Sequence, residues 1–344
     1  MGARPLVNTV GTPFASPASS GAGQAPARRA PPRLSCVIPC RNEVANLELL
    51  LPQLQALLAR LVPAWEIILV DDGSTDATAL SLAAWTRMLG VRALQLSRNF
   101  GKEAALTAGL QAAQGEVVVM MDADLQHPPA LVESFVEQWR DGADVVYALR
   151  DDRQDESALK RFGTRWFYRL LNAADRFEVP AGAGDFRLLD RRVVDALLAL
   201  PERNRFMKGL YAWVGFDARA VPYRPAPRAN GHSHYSLLRL LKLSLDGLTA
   251  FTTWPLRAIG GIGFVLALLS LGYGAYLTVV YLLYGHPLGG WTTIVVSLML
   301  FAGIQMISLG VVGEYVGRIF EEVKARPLYV VRRQWGRGLE DRPS

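Results

Sequence analysis

An α/β fold, a mostly parallel sheet flanked by helices and followed by a two-helix hairpin, is predicted by three features of this 344-residue chain. Short apolar runs at 34–38, 66–70, 91–96, 117–121 and 144–148 alternate with stretches of helical period, the pattern of a parallel sheet. Polar clusters fall at the carboxyl ends of those runs, where ligands of such sheets bind. Two later segments, 258–284 and 291–317, stay apolar for longer than the 20 or so residues that cross a bilayer.

Composition sets the frame. Half the residues are hydrophobic, high for a soluble globule, and the net charge of +6 points to anionic partners such as phosphates, nucleotides or an acidic membrane face. Cys36 and Cys40, close together along one strand and its end, do not suit disulfide geometry and are read as reduced and structural. Residues 1–33 are rich in Ala, Pro, Ser and Gly with no acidic residue, which predicts a disordered basic tail; they hold no continuous apolar core for a signal peptide.

In order, strand 34–38 leads into a helix at 42–61, with Leu47, Leu50, Leu51, Leu54 and Leu58 at core spacing. Strand 66–70 ends in Asp71-Asp72-Gly73-Ser74-Thr75-Asp76 and a helix at 77–88 follows. Strand 91–96, helix 102–113, strand 117–121 and strand 144–148 complete the regular part. Residues 150–172 form a basic stretch interleaved with Phe162, Trp166, Phe167 and Tyr168. The glycines of 182–187 predict a flexible loop leading into Asp185, then a helix at 191–200.

Leucines recur through 233–251 with Arg239 and Lys242 opposite, as in an amphipathic helix lying in a membrane interface. The link 285–290 between the two apolar spans carries no Lys or Arg, whereas Arg257, Arg318, Lys324, Arg326, Arg332 and Arg333 flank them. That bias puts both chain ends on the cytoplasmic side. The expected organisation is a tail (1–33), a cytoplasmic catalytic domain (34–230), interfacial helices (231–257), a membrane hairpin (258–317) and a basic cytoplasmic tail (318–344). Two helices are too few to line a transport pathway, so the hairpin reads as an anchor.

The chemistry centres on Asp122 and Asp124, two carboxylates at i, i+2 that end an apolar strand on one side of its backbone. Held close, they repel unless a cation or a proton lies between them. The choice is between a divalent-metal site of hard oxygen ligands, with Gln126 as a third, and a plain polar turn. Other strand ends carry Pro39-Cys40-Arg41-Asn42-Glu43, then Asp72, able to accept a hydrogen bond from a base, then Arg98-Asn99-Phe100-Gly101-Lys102, where a lysine at a helix start meets phosphate. Together these clusters describe a nucleoside-diphosphate site with a metal bridging the phosphates.

The motifs Ser35–Pro39 with Arg41-Asn42-Glu43, Val70–Asp76, Asn99–Lys102 and Met121–Pro129 resemble the family-2 glycosyltransferases of GT-A (Rossmann-like) fold. Gly184–Leu188, Asn204–Gly209 and the apolar hairpin narrow the resemblance to polyprenyl-phosphate glycosyltransferases, the bactoprenol glucosyltransferases and dolichol-phosphate-mannose synthases, over about residues 34–330. The resemblance implies that Pro39, Arg41, Glu43, Asp72, Lys102 and Asp122 bind the nucleotide and that Asp122, Asp124 and Gln126 hold Mg2+ or Mn2+. It implies that Asp185 and Asp124 are catalytic and that Arg150, Arg161, Arg205 and Ser233 meet the lipid phosphate. Arg41 replaces the family's usual aromatic residue, so a guanidinium plane would stack on the base, and His234 stands where relatives often have Lys.

The implied reaction is inverting transfer of a sugar, glucose from UDP-glucose by the closest motifs, to undecaprenyl or another polyprenyl phosphate at the inner (plasma) membrane. The acceptor is anionic already and needs little base help, so Asp185 is expected to orient it or to stabilise the oxocarbenium-like state. Implied partners are the nucleotide sugar, the polyprenyl phosphate, the lipid bilayer and three further copies in a homotetramer, with no nucleic acid. A processive polysaccharide synthase would want Gln-x-x-Arg-Trp after the acidic motif, and Gln334-Trp335 lacks that spacing. Intact Asp122, Asp124 and Asp185 oppose the other alternative, a non-catalytic membrane-anchored scaffold. No Gly-x-Gly-x-x-Gly follows the first strand, which excludes a dinucleotide oxidoreductase.

Overall fold

The computed structural model describes residues 30–150, 183–203, 205–224, 254–284 and 290–339. Its strands are β1 (Leu34–Cys40), β2 (Trp65–Asp71), β3 (Val91–Leu96), β4 (Val117–Met120), β5 (Val145–Arg150), β6 (Ala183–Asp190), β7 (Ala218–Tyr223) and β8 (Val331–Gly336). Its helices are α1 (Val44–Leu61), α2 (Thr78–Trp85), α3 (Lys102–Ala112), α4 (Leu131–Arg140), α5 (Arg191–Ala199), α6 (Met207–Trp213), α7 (Trp254–Tyr284) and α8 (Trp291–Lys324). The strands make one sheet in the order β7-β5-β6-β4-β1-β2-β3-β8.

The four strands β3, β2, β1 and β4 run parallel. Helices cover both faces, so these strands are buried on both sides and read as nearly unbroken apolar runs. Leu34, Cys36 and Ile38 of β1 pack in one cluster with Leu47, Leu50, Leu51, Leu54 and Leu58 of α1 and Phe135 of α4. Val37, one residue out of phase, packs on the other face with Ala105, Leu106 and Leu110 of α3. Both cysteines are buried free thiols. The five leucines expected to face the core from the first helix are all buried there.

Three strands depart from expectation. Residues 183–190, read from their glycines as the end of a loop, form β6, inserted antiparallel between β4 and β5. Gly184, Asp185 and Arg187 break any apolar pattern, so this strand is made by ladders on both flanks rather than by local propensity. β7 lies parallel to β5 at one edge. β8 pairs antiparallel with β3 at the other, where Ser97 N–H also donates to the Val330 carbonyl at 2.8 Å. Part of the expected basic tail is therefore sheet. Exposed edge strands bury too little to leave a hydrophobic signature, and charge on them is a common protection.

The helices α7 and α8, of 31 and 34 residues, would extend about 46 and 51 Å at 1.5 Å per residue, against a bilayer core of about 30 Å. Each contains a window long and apolar enough to cross a membrane, with none of that window buried. The interfacial stretch 233–251 lies outside the described residues.

β8 ends at Gly336, whose φ of +81° is left-handed and whose missing Cβ would collide with the Val91 carbonyl oxygen. Gly336→Ala is expected to cost about 1–3 kcal/mol, from the strained backbone and the displaced edge. Chemical denaturation of the purified chain checks this; an unchanged midpoint would show that β8 adds nothing to the stability of the sheet.

Candidate functional site

The carboxyl ends of the parallel strands converge on one edge, and polar contacts zip their loops together. Asn42, itself at φ +58°, takes a bond from Thr75 N–H at 2.9 Å through its side-chain oxygen, while its own N–H donates to Ser74 Oγ at 3.0 Å. Glu43 N–H donates to Thr78 Oγ1 at 3.2 Å, and its carboxylate accepts from Asn46 Nδ2 at 2.5 Å. Pro39 lies past the end of the β1–β4 ladder, which stops at Val37 and Met120, so its missing N–H breaks no pairing there.

Asp72 is only 6% exposed, and its two oxygens accept from the N–H groups of Phe100, at 2.7 Å, and Gly101, at 3.0 Å. Burial pushes its carboxyl up, against the pull of those amides and of nearby Arg41. In this fold Asp72 therefore ties the second strand end to the loop that carries Lys102. Gly73 completes that joint: a Cβ there would lie 2.5 Å from the Arg98 carbonyl carbon, and its φ is +66°. Arg41 is exposed beside this joint.

The acidic centre is set by strand register. β4 and β6 pair Val117 with Asp190 and Met120 with Arg187, so continuing by two residues brings Asp122 opposite Asp185. Lys102, the first residue of α3, reaches between them: its Nζ is 2.6 Å from Asp122 Oδ1 and 2.7 Å from Asp185 Oδ2. Asp124 Oδ1 accepts from Gln126 N–H at 3.1 Å across a tight turn, in which Leu125 holds a left-handed φ of +60°. The Asp185 side chain is 14% exposed, and its Oδ1 is buried without a hydrogen-bond partner.

Charge decides the state of Asp185. Burial alone would raise its pKa, but Lys102, Lys208 and Arg187 outweigh that and hold the carboxyl down at about 2. Arg187 is 4% exposed and fixed: its Nη2 donates to the Gly184 carbonyl at 2.5 Å, and its guanidinium lies 3.6 Å from the centre of the Tyr211 ring. Glu103, next to Lys102, goes the opposite way. Burial and the nearby Asp185 charge raise it to about 8, although Lys102, the Met207 amide and Lys208 pull it down.

Composition and motif reading named most of this cluster but missed several members. Glu103 stands in no motif, and Arg187, inside Gly184–Leu188, carries no predicted role. His127 lies inside the acidic motif; its ring is tilted against Phe186 and Tyr223, with centres 5.0 and 5.3 Å away, and its Nδ1 is buried without a partner. Tyr223 stood on an unanticipated strand. Arg150 ends β5 on the same edge as β4, exposed and close enough to Tyr223 to act on its hydroxyl. Arg205 is buried; it spends Nε and Nη2 on the carbonyls of Glu202 and Leu200, leaving Nη1 without a hydrogen bond. Arg161 and Ser233 lie outside the described residues, as does His234.

For a divalent cation, the oxygens of Asp122, Asp124 and Gln126 are chemically apt, being hard donors on one turn. Among the described residues, however, no three His, Cys, Asp or Glu side chains gather as a metal cage. A cation held by these three side chains would take its remaining ligands from elsewhere, as substrate phosphates can supply them.

The raised Glu103 carboxyl makes stability pH-dependent. Between its ordinary 4.5 and its folded value of about 8, the native state holds the proton more tightly than the unfolded chain. Its contribution is thus intact below the lower value and lost as pH rises through the upper one. Glu103→Gln removes that titration, so its unfolding midpoint should fall less than that of the unaltered protein between about pH 6 and pH 9. Thermal unfolding across that range checks this; parallel pH profiles would rule it out.

Known proteins resemble this chain over most of its length. Residues 35–198 match the model of the family described as glycosyl transferase family 2. An uncharacterized glycosyltransferase of Synechocystis sp. is 44% identical over 304 residues, 88% of this chain and 96% of that protein. The SfII prophage-derived bactoprenol glucosyl transferase of Shigella flexneri is 40% identical, over 88% of this chain and 98% of its own. Among solved structures, mannosyl-3-phosphoglycerate synthase from Rubrobacter xylanophilus aligns at a TM-score of 0.45 and 21% identity, over 67% of this chain and 75% of that one. Identity of 40–44% over nearly the whole length of these two relatives, with the family model matching residues 35–198, makes this chain a glycosyltransferase belonging to glycosyl transferase family 2.

Proposed function

We propose that this enzyme transfers glucose from UDP-glucose to the phosphate of a polyprenyl carrier, undecaprenyl phosphate, with inversion at the anomeric carbon. The observation that carries the reading is the meeting of Asp122, Asp124, Lys102 and Asp185 on one sheet edge, in a chain that continues into two bilayer-length helices. Identity near 40% to bactoprenol glucosyl transferases over most of the chain supports the lipid acceptor.

In this reading Pro39, Arg41 and Glu43 receive the nucleoside, and Asp72 acts chiefly through the loop it ties down. Asp122, Asp124 and Gln126 hold Mg2+ or Mn2+, which neutralises the departing diphosphate when bound. The anomeric C–O bond to the diphosphate breaks as an acceptor phosphate oxygen bonds to the same carbon from the opposite face. That oxygen already carries negative charge, so no proton has to be removed from it. Asp185, held ionised by its cations, faces the positive charge developing on the sugar ring and stabilises it. Arg150, Arg161, Arg205 and Ser233 take the lipid phosphate. The helices α7 and α8 span the cytoplasmic (inner) membrane as a hairpin, with the sheet on the cytoplasmic side and four copies assembling as a tetramer.

The test is a panel of radiolabelled nucleotide sugars with undecaprenyl phosphate, with and without Mg2+ or Mn2+. UDP-glucose should be the best donor and transfer should stop when the metal is chelated. Asp122→Asn and Asp124→Asn should each lower turnover by about 100-fold or more, and Asp185→Asn by at least about tenfold with substrate binding retained. A sugar hydroxyl that outperforms the lipid phosphate as acceptor would overturn the assignment.

A further inference from the structure

Lys102 is a cation already seated in the acidic centre. Its ammonium bridges two carboxylates that belong to different strands, Asp122 beyond β4 and Asp185 on β6, at 2.6 and 2.7 Å. The two ends of this bridge are not alike. The Asp122 side chain is the more exposed, whereas Asp185 sits deeper with Oδ1 buried and unpartnered. Lys102 itself is 43% exposed on a flexible stem, unlike Arg187, which is wedged against Tyr211. Arg187 is pinned by packing, whereas Lys102 is placed by its ion pairs.

A divalent ion on Asp122 and the Lys102 ammonium on the same carboxylate would be neighbours of like charge. They cannot share Asp122 cheaply, because repulsion between close charges grows as water is excluded. Asp185 has no such conflict, and its buried charge depends on the cations around it, Lys102 first among them and Lys208 and Arg187 beside it. On the reading of Asp122 and Asp124 as cation holders, which this inference assumes, we propose that Lys102 is a resident counter-ion that occupies Asp122 until a divalent cation replaces it there, and that it then remains on Asp185. The arriving cation thereby releases the ammonium from one acid and leaves it beside the other, where the sugar diphosphate arrives. Lys102 is a positioning residue in this scheme, coupling occupancy of the metal motif to the setting of Asp185.

The consequence is measurable without turnover. An internal competitor lowers the apparent affinity for the ion by the fraction of molecules in which Asp122 is free of it. Mn2+ binding to the full-length purified chain, without nucleotide, is read from the electron paramagnetic resonance of free Mn2+. Lys102→Met should bind Mn2+ about tenfold more tightly than the unaltered protein, as expected if roughly one molecule in ten has Asp122 vacant. Lys102→Gln, neutral but still able to hydrogen-bond both carboxylates, should tighten binding in the same direction. Lys102→Arg keeps the charge and should stay close to the unaltered affinity. A merely structural lysine would not produce this result, since loss of packing does not tighten metal binding. Unchanged or weaker binding in both neutral variants overturns the proposal, as does equal tightening in Lys102→Arg. Asp122→Asn/Asp124→Asn separates the two failures: if that double variant binds Mn2+ as well as the unaltered protein, the reading of these residues as cation holders falls first.

Discussion

Carboxylates crowded at the edge of a dry sheet are the constraint on which this site depends. Asp122, Asp124 and Asp185 stand on two neighbouring strand ends, above strands whose side chains are mostly buried. Such a group is tolerated when each charge is matched or surrendered. The fold uses both routes. Asp185 stays ionised because Lys102, Lys208 and Arg187 surround it, whereas Glu103, one residue from Lys102, is pushed towards its neutral form. Two carboxyls in one neighbourhood thus end with opposite protonation, a separation that acid–base sites commonly display. Here the neutral one holds the start of α6 through the Met207 amide, and the charged one faces the site.

The topology makes the crowding unavoidable. A purely parallel sheet would bring only carboxyl-terminal strand ends to this edge. By running β6 backwards between β4 and β5, the chain puts the beginning of a strand there, and Asp185 arrives from the opposite direction to Asp122. Side chains alternate along a strand, so a slip of one residue in the β4–β6 register would turn Asp185 and Arg187 together to the other face. The packing of Phe186 against Phe135 and His127 on that other face, with ring centres 4.8 and 5.0 Å apart, holds the register in place. On the far side of the site, Asp72 does comparable work: through Phe100 and Gly101 it fixes the loop from which Lys102 departs.

How far this was legible in the sequence follows from where burial leaves a mark. The strands β1 to β4 are covered on both faces, and their apolar runs reveal them; the leucines of α1 and the two long apolar helices are as plain. β6, β7 and β8 are not, because their identity comes from pairing partners distant in sequence. Ala183–Asp190 looks like a glycine loop until β4 and β5 are placed beside it, and Val331–Gly336 looks like a basic tail until β3 is. The site shows the same division. Asp122, Asp124, Lys102 and Asp185 stand in motifs whose residue types announce charge chemistry. The bridge that Lys102 makes between two of them, and the cage of Arg187 under Asp185, depend on three-dimensional register. Asp72 belongs to the second group as well: its residue type announces a carboxylate, but not the two backbone amides of the neighbouring loop that it holds.

The second apolar helix is joined to the sheet where it ends, and this bears on how a lipid acceptor could be reached. After α8 the chain needs only residues 325–330 to reach β8, a path of at most about 25 Å even when fully extended. Along this path Tyr329 bonds to Gln111 of α3, while Glu322, at the end of α8, accepts from the Arg203 N–H at 2.9 Å. The return strand then pairs along β3. A catalytic sheet tethered through one linker would be free to tilt and drift above a bilayer. One that is bonded to the helix end through α3, the 200–206 loop and β3 has its strand-end edge held at a restricted distance from α8. If α8 crosses the membrane as proposed, the height of Lys102 and Asp185 above the lipid phosphates is then set by the fold itself. On that proposal the exposed strand β8 is the element that would keep the reaction centre within reach of a membrane-bound substrate.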